Sequence, residues 1–329
     1  MRVLVTGATG FLGQHVVAEL QRRGETVRAL VRPGRPGRGR EWLAAQAIER
    51  AAGDLLDVSS LKRACSGADA LVHCAAHLGL WSRANAEQRA VNVEGSAALL
   101  RAATAAKLRR IVHVSTVAAI ALRRDRSVAD ESAHWNGASS GIAYARSKKE
   151  GEDRALAAAR GGVPVVVVNP GMLLGPRLDG GPPGSLVRRI AAGRARWVPA
   201  GGLSVTDVED VARAIVAALA RGRTNERYIL AGHNVGLREL YAALAAAAGQ
   251  PPPRGEIPAA LRHMAVPAAG ALALVGLDRP RWAAERYRLW GLYGWFDSSR
   301  AERELGYRVR PLDEIVARAV ALPPAGARR

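Results

Sequence analysis

The chain has 329 residues, 48 Lys and Arg against 29 Asp and Glu, a formal net charge of +19, 49% apolar residues and two cysteines. That length allows one large or two medium domains with a sizeable core, and the apolar content excludes a mainly disordered chain. Cys65 and Cys74 cannot build a disulfide framework and no CxxC spacing is present, so a reducing compartment and no metal centre are expected.

In chain order, Arg2–Thr6 is a short apolar run that stops at Gly7 and reads as a strand. Phe11–Arg23 has helical spacing through Leu12, Val16, Ala18 and Leu20 and ends at Gly24, a good capping residue. Thr26–Val31 is a second, β-branched strand, and the Gly/Pro/Arg stretch Arg32–Arg40 is expected to be loop. Ile48–Ala52 and Ala70–Cys74 read as strands with a helix, Val58–Cys65, between them. A long helix is expected over Ala84–Lys107, a strand at Arg110–Ser115, a helix at Gly141–Arg160 and a strand at Val163–Asn169. Strand–helix alternation at this spacing predicts an α/β doubly wound parallel sheet of the Rossmann type.

Beyond Gly175 the pattern changes: Pro and Gly cluster at Gly175–Gly184 and Gln250–Pro258, around an amphipathic helix at Asp207–Arg221 and a strand at Arg227–Leu230. A dinucleotide-binding domain over 1–175 is expected, with 204–231 returning to it in part, followed by a smaller helix-rich substrate-binding domain over 176–329. The apolar run Met264–Leu277 is too short to span a bilayer, contains Pro267 and Gly270, and reads as a lid or core helix, with interfacial lipid contact the minority reading. The N-terminal MRVLVTGATGFLG lacks the build of a signal peptide, so a cytoplasmic protein without stable membrane insertion is expected. Only four basic residues are Lys (Lys62, Lys107, Lys148, Lys149); the rest are Arg scattered along the chain, with no recognition-helix pattern, so nucleic acid is not an expected partner.

Gly7-Ala-Thr9-Gly10-Phe11-Leu12-Gly13 follows a strand and opens a helix. Gly7 permits the tight turn, Gly10 lets the backbone approach a pyrophosphate, and Gly13 lets the helix pack closely on the sheet. The helix N-terminus adds unpaired N–H groups and partial positive charge. NAD binders usually carry Asp or Glu at the end of the second strand; here Arg32 stands there, followed by Arg35, Arg38 and Arg40. A guanidinium can grip a 2′-phosphate in bidentate fashion, so NADP(H) is expected over NAD(H).

Tyr144 and Lys148 are four residues apart at the start of a helix, hence on one face. A phenol of pKa near 10 is a poor acid or base at neutral pH. An ammonium some 5 Å away, at an effective dielectric of about 20, supplies roughly 3 kcal/mol, or about two pKa units, toward phenolate. The third partner should be a hydroxyl at the end of the fifth strand, where Ser115 and Thr116 both stand.

Glycine turn, strand-end hydroxyl and Tyr-x-x-x-Lys together resemble the extended short-chain dehydrogenase/reductase family, which includes the NAD-dependent epimerases and dehydratases, over nearly the whole chain. The resemblance implies that Asp54 and Leu55 contact the adenine side of the cofactor and that Cys74, Ala75 and Ala76, after His73, run along it. It further implies that Asn92 props the active site, that Pro170, Gly171 and Met172, after Asn169, lie against the nicotinamide, and that the catalytic hydroxyl is Thr116. Asp207, Asp210 and the late Asp297–Tyr307 segment also fit. Within the family the chain is most similar to dihydroflavonol-reductase-like proteins, with the hopanoid-associated sugar epimerases next. That branch implies Arg32 on the 2′-phosphate and Ser185 near the cofactor; Gly39 stands near where plant reductases carry a second phosphate-binding Lys, leaving Arg38 or Arg40 to serve. Val117-Ala118 replace the acidic pair of the sugar-nucleotide dehydratases, which argues against dehydration. Family members are often dimers through the helices at 84–107 and 141–160, so a homodimer is expected.

The expected function is NADP(H)-dependent reduction of a ketone or aldehyde of a bulky, apolar small molecule. Seven Trp against two Phe suggest flat apolar walls, with Trp81, Trp135, Trp197, Trp282, Trp290 and Trp295 as candidates. The alternatives are a nucleotide-sugar epimerase with tightly held cofactor and a non-catalytic cofactor-binding regulator.

Overall fold

The computed structural model describes residues 1–34, 36–78, 85–181, 184–274 and 284–321. Arg35, Trp81, Ala84, Trp282 and the end of the apolar run at Leu277 lie outside the described residues.

The first half alternates strand and helix: β1 (Arg2–Thr6), α1 (Phe11–Arg22), β2 (Thr26–Val31), α2 (Arg38–Ala44), β3 (Glu49–Ala52), α3 (Val58–Cys65), β4 (Ala70–His73), α4 (Asn85–Arg89), α5 (Ser96–Ala105), β5 (Arg110–Val114), α6 (Ala143–Arg160) and β6 (Val165–Pro170). There follow β7 (Met172–Leu174), α7 (Ser185–Ala191), β8 (Trp197–Pro199), β9 (Gly202–Asp207), α8 (Val208–Arg221), β10 (Arg227–Leu230), β11 (His233–Gly236), α9 (Leu237–Ala247), β12 (Gly255–Ile257), α10 (Arg262–Leu274), α11 (Ala284–Arg288), β13 (Tyr293–Gly294), α12 (Ser299–Leu305) and α13 (Leu312–Val320).

Seven strands form one sheet in the order β10-β6-β5-β4-β1-β2-β3, every pair parallel. Strand alternation sorts the core into two layers. Val3, Val5, Val72, Val112, Val114, Val166 and Val168 face α1 and α8; Leu4, Leu71, Ile111, Val165 and Val167 face α3, α5 and α6. Each such side chain, removed from water, contributes about 1.5–3 kcal/mol. Burial on both sides explains why these strands read as continuous apolar runs.

The order reverses between β1 and β4, where the sheet opens a crevice beyond the strand ends. α8, far along the chain, packs on α1, and β10 closes the sheet edge. Asp57 and Asp207 cap α3 and α8 with their carboxylates. A third core, built from β7, β9, α7, α9 and α13, lies outside the sheet.

Two expectations are corrected. The stretch Arg32–Arg40 is not all loop: α2 begins at Arg38, and Gly39 packs so tightly under the first turn that a Cβ there would fall 2.1 Å from the Thr9 carbonyl oxygen. The expected helix over Ala84–Lys107 is broken by a π-helical turn at Ala90–Gly95, which carries Asn92.

Candidate active site

A cleft of about 640 Å³ runs over the ends of β1, β2, β4 and β5, within the range of small-molecule and cofactor sites. The glycine turn forms its floor: Gly7, Thr9, Gly10, Phe11, Leu12 and Gly13 all line it. Gly7 has φ of +71°, and a Cβ there would lie 2.7 Å from the Ala75 nitrogen. A Cβ on Gly13 would come within 2.0 Å of the Gly7 oxygen, so turn and helix are welded by that contact. Gly10 is different: only the Gly7 oxygen lies near its absent Cβ, at 3.1 Å, and the rest is open cleft. That cradle at the α1 N-terminus fits a pyrophosphate.

Arg32 and Arg40 line the same cleft, and Arg40 Nη1 donates to the Arg32 carbonyl at 2.9 Å. The Arg32 guanidinium pairs with the Asp54 carboxylate, and Asp54 and Leu55 are both wall residues. Arg38 turns away and donates to the Gly180 carbonyl. Cys74, Ala75, Ala76, Pro170 and Gly171 complete the lining beside Tyr144 and Lys148.

Two expected contacts are not brought to the cleft. On β7 the alternation points Leu173 into it, while Met172 packs toward the third core. Ser185 starts α7 and is not among the lining residues. Trp197 is exposed on β8 rather than forming a wall. Trp135 does brace the site, its Nε1 donating to the Ala118 carbonyl at 3.1 Å.

At the far end Tyr144 and Thr116 both line the cleft, the Thr116 side chain near enough to the phenol to act on its pKa. Thr116 sits at the end of β5 and caps a 3-10 turn, Val117–Ala119; its Oγ1 accepts from the Ala118 amide at 3.3 Å, which leaves its own proton free to be donated. Ser115 lines the cleft too, but its buried Oγ makes no hydrogen bond within the described residues. Lys148 is buried with Nζ donating to the Val114 carbonyl at 2.8 Å.

Burial pushes the Tyr144 phenol up to about 12, against the Thr116 side chain, which lowers it. The expected lowering by Lys148 is not what governs the phenol in this state. Burial likewise brings the Lys148 ammonium down to about 8, while Glu152 and Cys74 act to raise it. Cys74 is a wall residue with a thiol held at about 12 by burial, so it is no nucleophile at neutral pH. His73, packed beneath Lys148, is brought down to about 3 by burial and then by the lysine charge; its ring bonds to Thr6 Oγ1 and Ser96 Oγ.

Behind these groups lie supports. Asn92 is buried in the π-helical turn; its Oδ1 accepts from the His77 amide at 2.7 Å and its Nδ2 donates to the His77 carbonyl and to Ser147 Oγ. It ties the cleft wall to the helix carrying Lys148. Sequence reasoning missed Glu152, which is fully buried one turn beyond Lys148 and accepts from Asn169 Nδ2 at 2.6 Å. The same Nδ2 donates to the Thr116 carbonyl at 3.0 Å. Arg227 Nη1 supplies Glu152 with its countercharge at 3.3 Å. The spacing was the available signal: of Glu150, Glu152 and Asp153, Glu152 is the one four residues after Lys148, hence on its helix face.

A Rossmann sheet whose glycine turn, strand-end hydroxyl and Tyr–Lys helix meet in one crevice defines a dinucleotide-dependent enzyme of the short-chain dehydrogenase/reductase type. Residues 3–231 match the NAD dependent epimerase/dehydratase family, and the chain belongs to that family, on its dihydroflavonol-reductase-like branch. It is 33% identical to the 4-hydroxy-2-methyl-3-oxo-4-farnesyl-3,4-dihydroquinoline-1-oxide ketoreductase of Stigmatella aurantiaca, over 94% of this chain and 92% of that protein. It is 30% identical to dihydroflavonol 4-reductase of Zea mays, over 74% and 73%. Among solved structures, gox2253 superposes with a TM-score of 0.85 at 34% identity, covering 97% of each chain. PA4631 of Pseudomonas aeruginosa, described as a nucleoside-diphosphate-sugar epimerase, superposes with a TM-score of 0.77 at 29% identity, covering 97% and 96%.

Proposed function

We propose that this enzyme is an NADP(H)-dependent carbonyl reductase, acting reversibly on a ketone or aldehyde of a bulky, apolar small molecule. The observation that carries the reading is the Tyr144–Thr116 hydroxyl pair, set in the same cleft as the glycine cradle. The relatives named as reductases support it, as does the farnesyl-bearing substrate for which one of them, the ketoreductase of Stigmatella aurantiaca, is named.

The cradle at Gly10 and the α1 N-terminus would hold the pyrophosphate, Asp54 and Leu55 the adenosine end, and Arg32 with Arg40 a 2′-phosphate. Lys148 would hold the nicotinamide ribose. When bound, the dinucleotide supplies or accepts a hydride. The chain's own part is proton and charge handling. Thr116 Oγ1 and Tyr144 Oη would both point at the substrate carbonyl oxygen. Tyr144 gives its proton to that oxygen, and Thr116 fixes the oxygen's position and steadies the phenolate left behind. The Lys148 ammonium favours that phenolate. A phenol held at about 12 is fully protonated at neutral pH, as an acid in the reducing direction requires.

Replacing Tyr144 by Phe should lower kcat for ketone reduction by about 10²–10⁴, with NADPH affinity retained. Full activity in Tyr144→Phe overturns the acid role. The likeness to an epimerase structure favours one second reading, oxidation and re-reduction of a single sugar carbon. Protein that co-purifies with tightly held cofactor and never consumes NADPH across a panel of ketones would establish that reading instead.

A further inference from the structure

The helix α10, Arg262-His-Met-Ala-Val-Pro-Ala-Ala-Gly-Ala-Leu-Ala-Leu274, carries no acidic residue. Its only buried residue is Ala269. Met264, Pro267, Ala268, Ala271 and Leu272 are all exposed, and their spacing places them on one face. Met264 is 73% exposed, and just before the helix Leu261 is 45% exposed. The outward face is therefore as apolar as the packed one. A helix apolar all round is expected in a core or against lipid, and this one is in no core.

The start of the helix adds a second, independent feature. Arg124, from the loop after β5, and Arg262, the first residue of α10, converge beside Gly291: a Cβ built there would lie 3.4 Å from Arg124 Nη1 and 3.6 Å from Arg262 Nη1. Their hydrogen bonds go to the Trp290 and Ala259 carbonyls, and neither meets a carboxylate among the described residues. Burial, and then the Arg262 charge, pull the Arg124 guanidinium below its ordinary pKa. Arg310 and Arg318, by contrast, converge on the carboxylates of Asp207 and Glu209, and Arg310 by itself reaches four carboxylates. Two like charges left together at the end of an apolar face call for an anion, and a phosphate can take guanidinium donors from both.

We propose that α10 lies on an anionic phospholipid surface, with Met264, Ala268 and Leu272 entering the headgroup–acyl boundary and the Arg124–Arg262 pair holding lipid phosphates. Apolar face and paired cations side by side are what an interfacial helix needs. Among the described residues no helix is long and apolar enough to cross a membrane, so the contact is peripheral. It depends on neither the cofactor nor the reaction. It would let the enzyme meet a lipid-dissolved substrate at the surface.

The test is sedimentation of the full chain with vesicles made from an equal mixture of phosphatidylglycerol and phosphatidylcholine, at low and high salt, beside vesicles of phosphatidylcholine alone. Two surface variants are compared, Arg124→Glu/Arg262→Glu and Met264→Ser/Leu272→Ser, each checked for an unchanged melting curve and unchanged NADPH binding. Binding to the mixed vesicles is expected, weaker by about tenfold or more in either variant and on phosphatidylcholine alone, and weakened by salt. No binding to the mixed vesicles overturns the proposal, as does full binding by either variant, which would assign the effect to the scattered arginines. A chain that self-associates through this face, with the Met264→Ser/Leu272→Ser variant becoming monomeric, would make a second copy the occupant and also overturn it.

Discussion

Arg32 Nε lies 2.6 Å from Asp54 Oδ2 in an ion pair, so the arginine at the end of the second strand already has a carboxylate partner just beyond the neighbouring strand β3. Both side chains are partly exposed, at 38% and 28%, and an exposed pair of this kind is worth about 0–1 kcal/mol. A phosphate dianion can compete for the guanidinium at that strength, and the freed carboxylate stays within reach of the adenosine. Replacing Arg32 by Ser should therefore remove one charge-assisted contact, about 1.5–3 kcal/mol, and raise the NADPH dissociation constant by about 10–100-fold. NADH affinity should change little. Fluorescence titration with both cofactors checks this, and an equal loss for the two would remove Arg32 from 2′-phosphate recognition.

Lys148 and Tyr144 predict a one-sided pH profile. Burial disfavours the ammonium, so the folded chain sheds the Lys148 proton near pH 8, against an ordinary value of 10.5, while the phenol near 12 keeps its own. kcat/KM for ketone reduction should be level below about pH 8 and fall above it with the loss of one proton. Lys148→Arg should abolish that limb. The sign for stability is opposite: between about 8 and 10.5 the unfolded chain holds the proton that the folded one has lost, so this group adds stability as pH rises through that window. A rate that stays level to pH 10 would show that Lys148 charge is not required.

The glycines of the turn divide into two roles that substitution can separate. A Cβ on Gly13 collides with the Gly7 oxygen at 2.0 Å, which backbone cannot yield cheaply, so Gly13→Ala should lower stability by about 1–3 kcal/mol or more. A Cβ on Gly10 meets that same oxygen at 3.1 Å and otherwise projects into the cleft. Gly10→Ala should melt near the parent temperature and lose dinucleotide affinity. Thermal melts with and without NADPH report both, and a Gly10→Ala protein that binds NADPH normally would contradict the cradle.

Much of this was legible in the sequence because it depends on local rules. β1, β2, α3 and β10 follow directly from β-branched runs and helical spacing, and the Gly7–Gly13 turn and Tyr144–Lys148 spacing carry their own geometry. What escaped depends on distant partners. Nothing near Arg32 announces Asp54, because the two meet only through the pairing of β2 with β3. Arg38, which falls in the expected loop and is an alternative to Arg40 as phosphate ligand, begins α2 and bonds Gly180, 142 positions away. Met172 and Leu173 differ by one step of strand alternation, which decides which of them lines the cleft. The run from Met264 matches a core helix in composition, and only the packing leaves it exposed. The phenol was expected to be governed by a cation, whereas burial dominates.

Glu152 links stability to chemistry through the same buried contacts. It accepts from Asn169, which in turn holds the Thr116 carbonyl, and its charge is one of the influences raising Lys148. Glu152→Ala would leave the Arg227 guanidinium and the Asn169 amide without their buried partner, and breaking a buried pair costs about 3–5 kcal/mol. Glu152→Gln keeps the volume and a hydrogen-bond acceptor for Asn169 but removes the negative charge. With that raising influence gone, burial lowers Lys148 further, and the alkaline limb of kcat/KM should move below pH 8 while the melting temperature falls less than in the alanine variant. Paired pH–rate profiles of the parent and Glu152→Gln decide the matter. A limb left in place would mean that Glu152 holds Thr116 through Asn169 and has no electrostatic hold on the lysine.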